Sequence, residues 1–234
     1  MHLHLGRSKD GASLGLPEIQ KAMDAYGISR AVIFAIDEKD SGPVYEKTNA
    51  HVFKAARGKA QFIPFGRLSV SPQEKSFREL KNCKARGARG IKLHPRSEKF
   101  SPKNAEILID EIERMRLPII LHSSHEPNCR PLEWEGIFRR HKRIPFILAH
   151  AGKDAFREGI AVARRNSNVW LETSTLSYWR TSMILKEVGS QHVVFGSDLP
   201  YSHPLVERTK LDLLLSTRAR KQVYFDNPKK ILGE

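Results

Sequence analysis

Short apolar runs rich in β-branched residues alternate with longer amphipathic stretches along the whole chain, and turn residues separate them. This is the pattern of repeated strand–helix units. The runs predict strands over 2–5, 30–35, 62–68, 90–93, 118–122, 145–150, 169–172 and 192–195, with helices near 17–26, 44–56, 71–86, 102–115, 131–139, 154–165, 178–188 and 204–215. The stretch from Asp226-Asn227-Pro228 to Ile231-Leu232-Gly233 reads as a short closing helix. Eight units in 234 residues leave about 29 residues each, near the compact end for a barrel that typically has ~250. The expected fold is α/β: a slightly compact, single-domain (β/α)8 TIM barrel over residues 1–234.

Alternation within strands sets an expected register. If Leu3, Leu5, Ile91, Leu93, Ile147 and Ala149 face the helices, then His2, His4, Lys92, His94 and His150 face the barrel axis. Polar groups then converge at the ends of the strands, where barrel enzymes carry their chemistry.

His2 and His4, at i and i+2, project to one side and can present two imidazoles to one ion, although an HxH pair alone equally describes a polar terminus. His122 ends the run Leu117-Pro118-Ile119-Ile120-Leu121, and His150 closes Phe146-Ile147-Leu148-Ala149. Asp198 follows Val193-Val194-Phe195-Gly196-Ser197. Each has an ordinary explanation by itself, a hydrogen-bonded histidine or a capping aspartate. Metal-compatible side chains at the ends of strands one, five, six and eight together are a stronger signal. Histidines plus a carboxylate suit one divalent ion, Zn2+ first, with a position left for water. Glu172, ending strand seven, is placed to orient such a ligand through a hydrogen bond.

Composition narrows the class. The longest apolar stretches, such as 31–36, are too short to cross a bilayer. The opening Met-His-Leu-His-Leu-Gly has no signal-like core, so the expected location is the cytoplasm. Cys83 and Cys129 form no CxxC pair and predict neither a disulfide framework nor a thiolate metal site. The 40 Lys and Arg against 26 Asp and Glu give +14, a balance that can favour polyanions. However, Arg139-Arg140-His141-Lys142-Arg143 and Arg164-Arg165 fall where helices end and strands begin, on the face opposite the expected site. The expected partner is a small molecule, not nucleic acid or a membrane; a homo-oligomer stays open. Arg7, Arg67, Arg96, Arg130, Lys153 and Arg180 fall on the mouth side and point to an anionic substrate. Lys92, His94 and Arg96 are the candidate substrate contacts. His125 and Glu126 either line the mouth or belong to a solvated loop. His51, His141, His192 and His203 read as surface or packing residues.

Taken together, His2-Leu3-His4, Gly90-Ile91-Lys92-Leu93-His94-Pro95, His122, Ala149-His150-Ala151-Gly152, Phe195-Gly196-Ser197-Asp198-Leu199-Pro200 and Asn227-Pro228 make the chain resemble the amidohydrolase superfamily. The likeness is to its amidohydrolase-related branch of metal-dependent TIM-barrel hydrolases and spans nearly the whole chain. It implies His2, His4, His122 and Asp198 as metal ligands, and Asp198 and His150 as the catalytic pair: Asp198 takes the proton of the attacking water, while His150 stabilises an oxyanion or helps the leaving group depart. The implied reaction is hydrolysis of a C–O or C–N bond in a small anionic substrate. Non-oxidative decarboxylation on the same site is the alternative. A TatD-like nuclease would carry a glutamate ligand on strand four, where this chain has Lys92. Some binuclear members of the superfamily carry a carboxylated lysine there. Relatives place a few strand residues before the HxH, so a first strand that begins at His2 is expected to be weakly anchored.

Overall fold

The computed structural model describes residues 2–234. In chain order, β1 (His2–Arg7) leads to α1 (Leu16–Ala25), β2 (Ala31–Ala35) to α2 (Glu46–Ala56), and β3, in two pieces Phe62–Pro64 and Gly66–Arg67, to α3 (Gln73–Ala85). Next, β4 (Ile91–Leu93) leads to α4 (Pro102–Arg114), β5 (Ile119–His122) to α5 (Glu135–Arg140), and β6 (Phe146–Ala149) to α6 (Phe156–Arg165). Finally, β7 (Val169–Glu172) leads to α7 (Tyr178–Val188) and β8 (Val193–Val194) to α8 (Pro204–Leu214). The expected strands and helices are all present, with ends moved by a few residues. Two short elements are additional: Ser13–Leu14 folds back antiparallel on β1, and Pro95–Glu98 forms one helical turn after β4.

Local sequence accounts for the helices. In α4, Ala105, Leu108, Ile109 and Ile112 are buried at helical spacing, Pro102 occupies the first turn, and Ser101 caps it by accepting from Asn104 N; this is an amphipathic helix with a built start signal. None of the helices among the described residues is long and apolar enough to cross a membrane.

Consecutive strands pair in parallel from β1 round to β8. The ring closes where Leu3 bridges Leu199, His4 N donates to Leu199 O at 3.0 Å, and the amides of Ser197 and Asp198 both donate to His2 O. The fold is thus an α/β TIM barrel. Met1 lies outside the described residues, but the expected weak anchoring of β1 is not what is seen: from His2 onward it is paired on both edges.

The inward-facing residues include Phe34, Ile63, Phe65, Ile120, Ile147, Ala149, Trp170 and Val194, with Ile231 packed among them from the closing helix Asn227–Leu232. Leu3, Leu5, Ile91 and Leu93 pack outward against helices as expected. Ile147 and Ala149 do not. On β6 it is Phe146 and Leu148 that join the helix-facing core, so the expected register of this strand is off by one residue. His150 nevertheless reaches the axis, because it has left the strand: its φ is 64°, and Ala151 and Gly152 follow at 45° and 90°. Alternation holds only within extended backbone, and here the left-handed exit turns the side chain back in.

Candidate metal centre and active site

The C-terminal ends of the strands surround a cavity of about 540 Å³ lined by residues including His4, Lys92, His94, His122, His150 and Asp198. Phe34, in the inward-facing core, packs against three of the polar side chains of the site. Its ring stacks on His2 at 5.7 Å, meets His4 edge-on at 4.7 Å, and lies 5.3 Å below Lys92 Nζ.

His2, His4 and Asp198 are buried and bring ligand atoms within 4.8 Å of one another. His2 Nε2 and His4 Nε2 lie 3.3 and 3.0 Å from the same oxygen, Asp198 Oδ1. His150 Nε2 lies 3.9 Å from the other, Oδ2. Asp198 is itself left-handed, with φ 54°. Non-glycine residues held in that region commonly mark sites where the surrounding structure dictates the conformation. His122 is not within the tight group of three. Its ring lies 5.1 Å from that of His150 and stacks on His94 at 3.8 Å, and its buried Nε2 has no hydrogen-bond partner.

The donor set fits a cation. Burial pushes His4 down to about 4 and His150 down to about 4, and holds His94 and His122 well below the usual imidazole value. Neutral imidazoles are the form that binds metal. Burial works to raise the Asp198 carboxyl, but His150, His2 and His4 around it outweigh that and keep it well below the ordinary value. Glu172 Oε2 sits 3.4 Å from His2 Nδ1. A proton on Nδ1 is favoured by that carboxylate, and it leaves Nε2 as a ligand lone pair. Gly196 makes the approach possible, since a Cβ there would lie 2.3 Å from Glu172 Oε1 and 2.5 Å from His2 Nδ1.

Lys92 is fully buried on the axis, and burial lowers it to about 8 against the pull of Asp198. His94 lines the cavity, with Nδ1 accepting from Ser97 N. Arg96 stands at the rim, largely exposed and 3.1 Å from Glu126. Of the other expected mouth cations, Arg67 and Lys153 line the cavity. Arg67 is buried against Glu98 at 3.0 Å, and burial raises that carboxyl to about 7 despite the guanidinium. Arg130 and Arg180 are engaged with Glu158 and Asp154, and Arg7 is exposed. His125 is exposed and pairs with Asp154. The basic clusters of the opposite face are mostly ion-paired: Arg139 and Arg165 with Glu135, Arg140 with Glu106, Arg143 with Glu113 and Arg164 with Glu187. Cys83 and Cys129 are buried thiols whose burial raises their pKa, which makes them poor nucleophiles.

Sequence reasoning missed Phe34, Ser174 and Tyr201. Ser174 Oγ lies 2.9 Å from His150 Nδ1, and the Tyr201 ring meets His4 edge-on at 5.6 Å. The inward phase of β2 and the spacing Glu172-Thr173-Ser174 were the available signals.

Comparison with known proteins agrees with the fold. Among solved structures, a TIM-barrel protein of Bordetella bronchiseptica superposes with a TM-score of 0.77 at 18% identity, covering 94% of this chain and 83% of that one. An amidohydrolase from Burkholderia multivorans gives 0.75 at 13% identity, with 99% and 97% covered. A dihydroxybenzoic acid decarboxylase from a Polaromonas species, with bound manganese, gives 0.71 at 15% identity, with 94% and 86% covered. At these identities the likeness concerns the fold. A search of curated proteins found no significant match. The family model described as "Amidohydrolase" matches residues 1–233, and on that near-complete match the chain belongs to the amidohydrolase family of enzymes.

Proposed function

We propose that this enzyme is a metal-dependent hydrolase that uses an activated water to cleave a C–O or C–N bond of a small, anionic substrate. The observation that carries the reading is the convergence of His2 and His4 Nε2 on one oxygen of Asp198, with His150 facing the other oxygen, inside the cavity. His2, His4 and Asp198 are the ligands of one divalent ion, with His122 as the fourth; Zn2+ suits so nitrogen-rich a set, while the Polaromonas neighbour makes Mn2+ the other candidate. Such an ion, when bound, polarises a carbonyl and makes water acidic near neutral pH.

Asp198 Oδ2 is placed to take the proton from the attacking water. His150 Nε2, 3.9 Å away, then carries a proton toward the leaving group. Lys92, His94 and Arg96 contact the substrate, and the cations in the wall suit a carboxylate. The paired state of the basic clusters on the opposite face supports a small-molecule substrate over nucleic acid.

Asp198→Asn should lower kcat by about 10²–10⁴-fold with little change in KM. Retention of most turnover overturns the assignment. A zinc stoichiometry near one per chain is expected, and two would favour a bridging, carboxylated Lys92. Decarboxylation is the second reading, favoured by the buried Lys92 beside the carboxylate-binding wall and by the reaction named for the Polaromonas neighbour. A panel of lactones, amides and aromatic acids separates the two: CO2 release from an aromatic acid without hydrolysis of any lactone or amide would select it.

A further inference from the structure

We infer that a single buried carboxylate, Glu172, sets the proton positions on both a metal ligand and the acid–base histidine, acting directly on His2 and through Ser174 on His150. The inference rests on the proposed function in taking His2 as a ligand and His150 as an acid–base group.

Glu172 is 1% exposed. Its Oε1 accepts the amide of Ser174 at 2.8 Å, and its Oε2 accepts the amide of His150 at 3.1 Å. Both are fixed backbone donors, so Glu172 acts as an acceptor, the role of an ionised carboxylate. The Ser174 hydroxyl, 2.8 Å from Oε2, therefore donates its one proton there. Having spent that proton, Ser174 Oγ can only accept from His150 Nδ1, 2.9 Å away. His150 thus carries its proton on Nδ1 and presents a bare Nε2 to Asp198 Oδ2. On the other side of the carboxylate, Oε2 lies 3.4 Å from His2 Nδ1, a charge contact that does not close as a hydrogen bond, and its negative charge favours the tautomer with the proton on Nδ1 and the Nε2 lone pair toward Asp198.

The consequence for the reaction is specific. A bare Nε2 cannot donate to a developing oxyanion at the outset. It accepts the proton that Asp198 has taken from water and then delivers it to the leaving group. Glu172 touches no substrate in this scheme and is a positioning residue.

A second set of contacts holds the loop in place. Thr175, with φ 64°, donates its amide to Glu207 Oε1 at 3.0 Å, and Glu207 pairs with Lys210 at 2.6 Å. Thr175 Oγ1 also lies 3.4 Å from His150 Nδ1, so a decisive test removes both hydroxyls.

The experiment uses zinc-loaded protein with isotopically labelled histidine ring nitrogens, read by NMR, with the His150 signals identified by their loss in His150→Gln. Zinc affinity is measured by competition with a chromophoric chelator. The wild type should show His150 protonated on Nδ1. Ser174→Ala/Thr175→Val should shift His150 toward the other tautomer while zinc affinity stays within about twofold. Glu172→Gln should move the tautomer and also weaken zinc by about 10–100-fold. This split distinguishes positioning from general loosening, which would weaken zinc in both variants. A wild-type His150 protonated on Nε2, an unmoved tautomer in the double variant, or unchanged zinc affinity in Glu172→Gln each overturns the inference. Neither readout needs a substrate. A protein that hydrolyses nothing would sink the proposed reaction and leave the proton assignment standing.

Discussion

Asp198, His150 and Thr175 each sit in left-handed backbone just beyond the end of a strand, a region that Asp and His enter more readily than most residues and that a β-branched threonine rarely does. Their side chains reach one another because the chain turns there, at a conformational cost that the packed barrel sustains. The chemistry of Asp198 and His150 was legible only when several strand ends were read together, since each alone also reads as a capping aspartate or a hydrogen-bonded histidine; Thr175 carried no such signal. Ser174, Phe34 and Gly196 were not legible, because what matters about them is a distance to a residue far away in the chain. Gly196 gives the sharpest test at this scale. A methyl group there would sit 2.3 Å from Glu172 Oε1 and 2.5 Å from His2 Nδ1, so one of the two must move. Gly196→Ala should weaken zinc binding by about tenfold or more, measured by chelator competition, with the helical circular dichroism unchanged. Unaltered affinity would mean that the Glu172–His2 contact contributes nothing to the ion.

At the scale of elements, helices were legible almost to their ends, because caps and apolar spacing act locally; α7 was placed at 178–188, as observed. Strand register was legible on β1 and β4 and misread on β6, where His150 was counted as part of the strand. The outer layer also carries a pH-dependent contribution. Glu135, at the start of α5, accepts from Arg165 on α6 and also pairs with Arg139 and Asn166. The Arg165 hydrogen bonds, against a smaller opposing effect of burial, bring its carboxyl down to about 2 from the ordinary 4.5. Because the folded value is depressed, the stabilisation is present above about 4.5 and is lost as pH falls through the window from 4.5 to 2. Glu135→Gln should therefore lower Tm at neutral pH by roughly 1–3 °C, as suits a surface ion-pair cluster. The gap should close near the acid end of that window; a constant gap would point to packing and not ionisation.

For the whole molecule, the barrel is closed by β1 and the segment that follows β8, and the candidate metal ligands lie across that closure: His2 and His4 on one side, Asp198 on the other. An ion held there joins the two ends of the barrel, so ligation and closure should be thermodynamically linked. Zinc at about 100 times its Kd stabilises by ~2.7 kcal/mol, or roughly 5–11 °C in Tm for a chain of this size. Scanning calorimetry of chelator-treated and zinc-loaded protein checks this, and equal melting temperatures would remove His2 and His4 from the ligand set. The charge of +14, which by itself suggested a polyanion partner, is not gathered into a free basic patch at the helix ends, where Arg139, Arg140, Arg143, Arg164 and Arg165 each meet a carboxylate. Periodicity and strand-end chemistry in the sequence determined the barrel, the order of its units and the strand ends at which metal-compatible residues stand, because those follow from alternation, capping and residue type. Only the tertiary structure decided that His150 turns inward from a strand of opposite register, that Asp198 faces two imidazoles with one oxygen and a third with the other, and that Glu172 reaches both His2 and Ser174. Those facts depend on backbone turns and on contacts between residues as much as 196 positions apart, which no local pattern encodes.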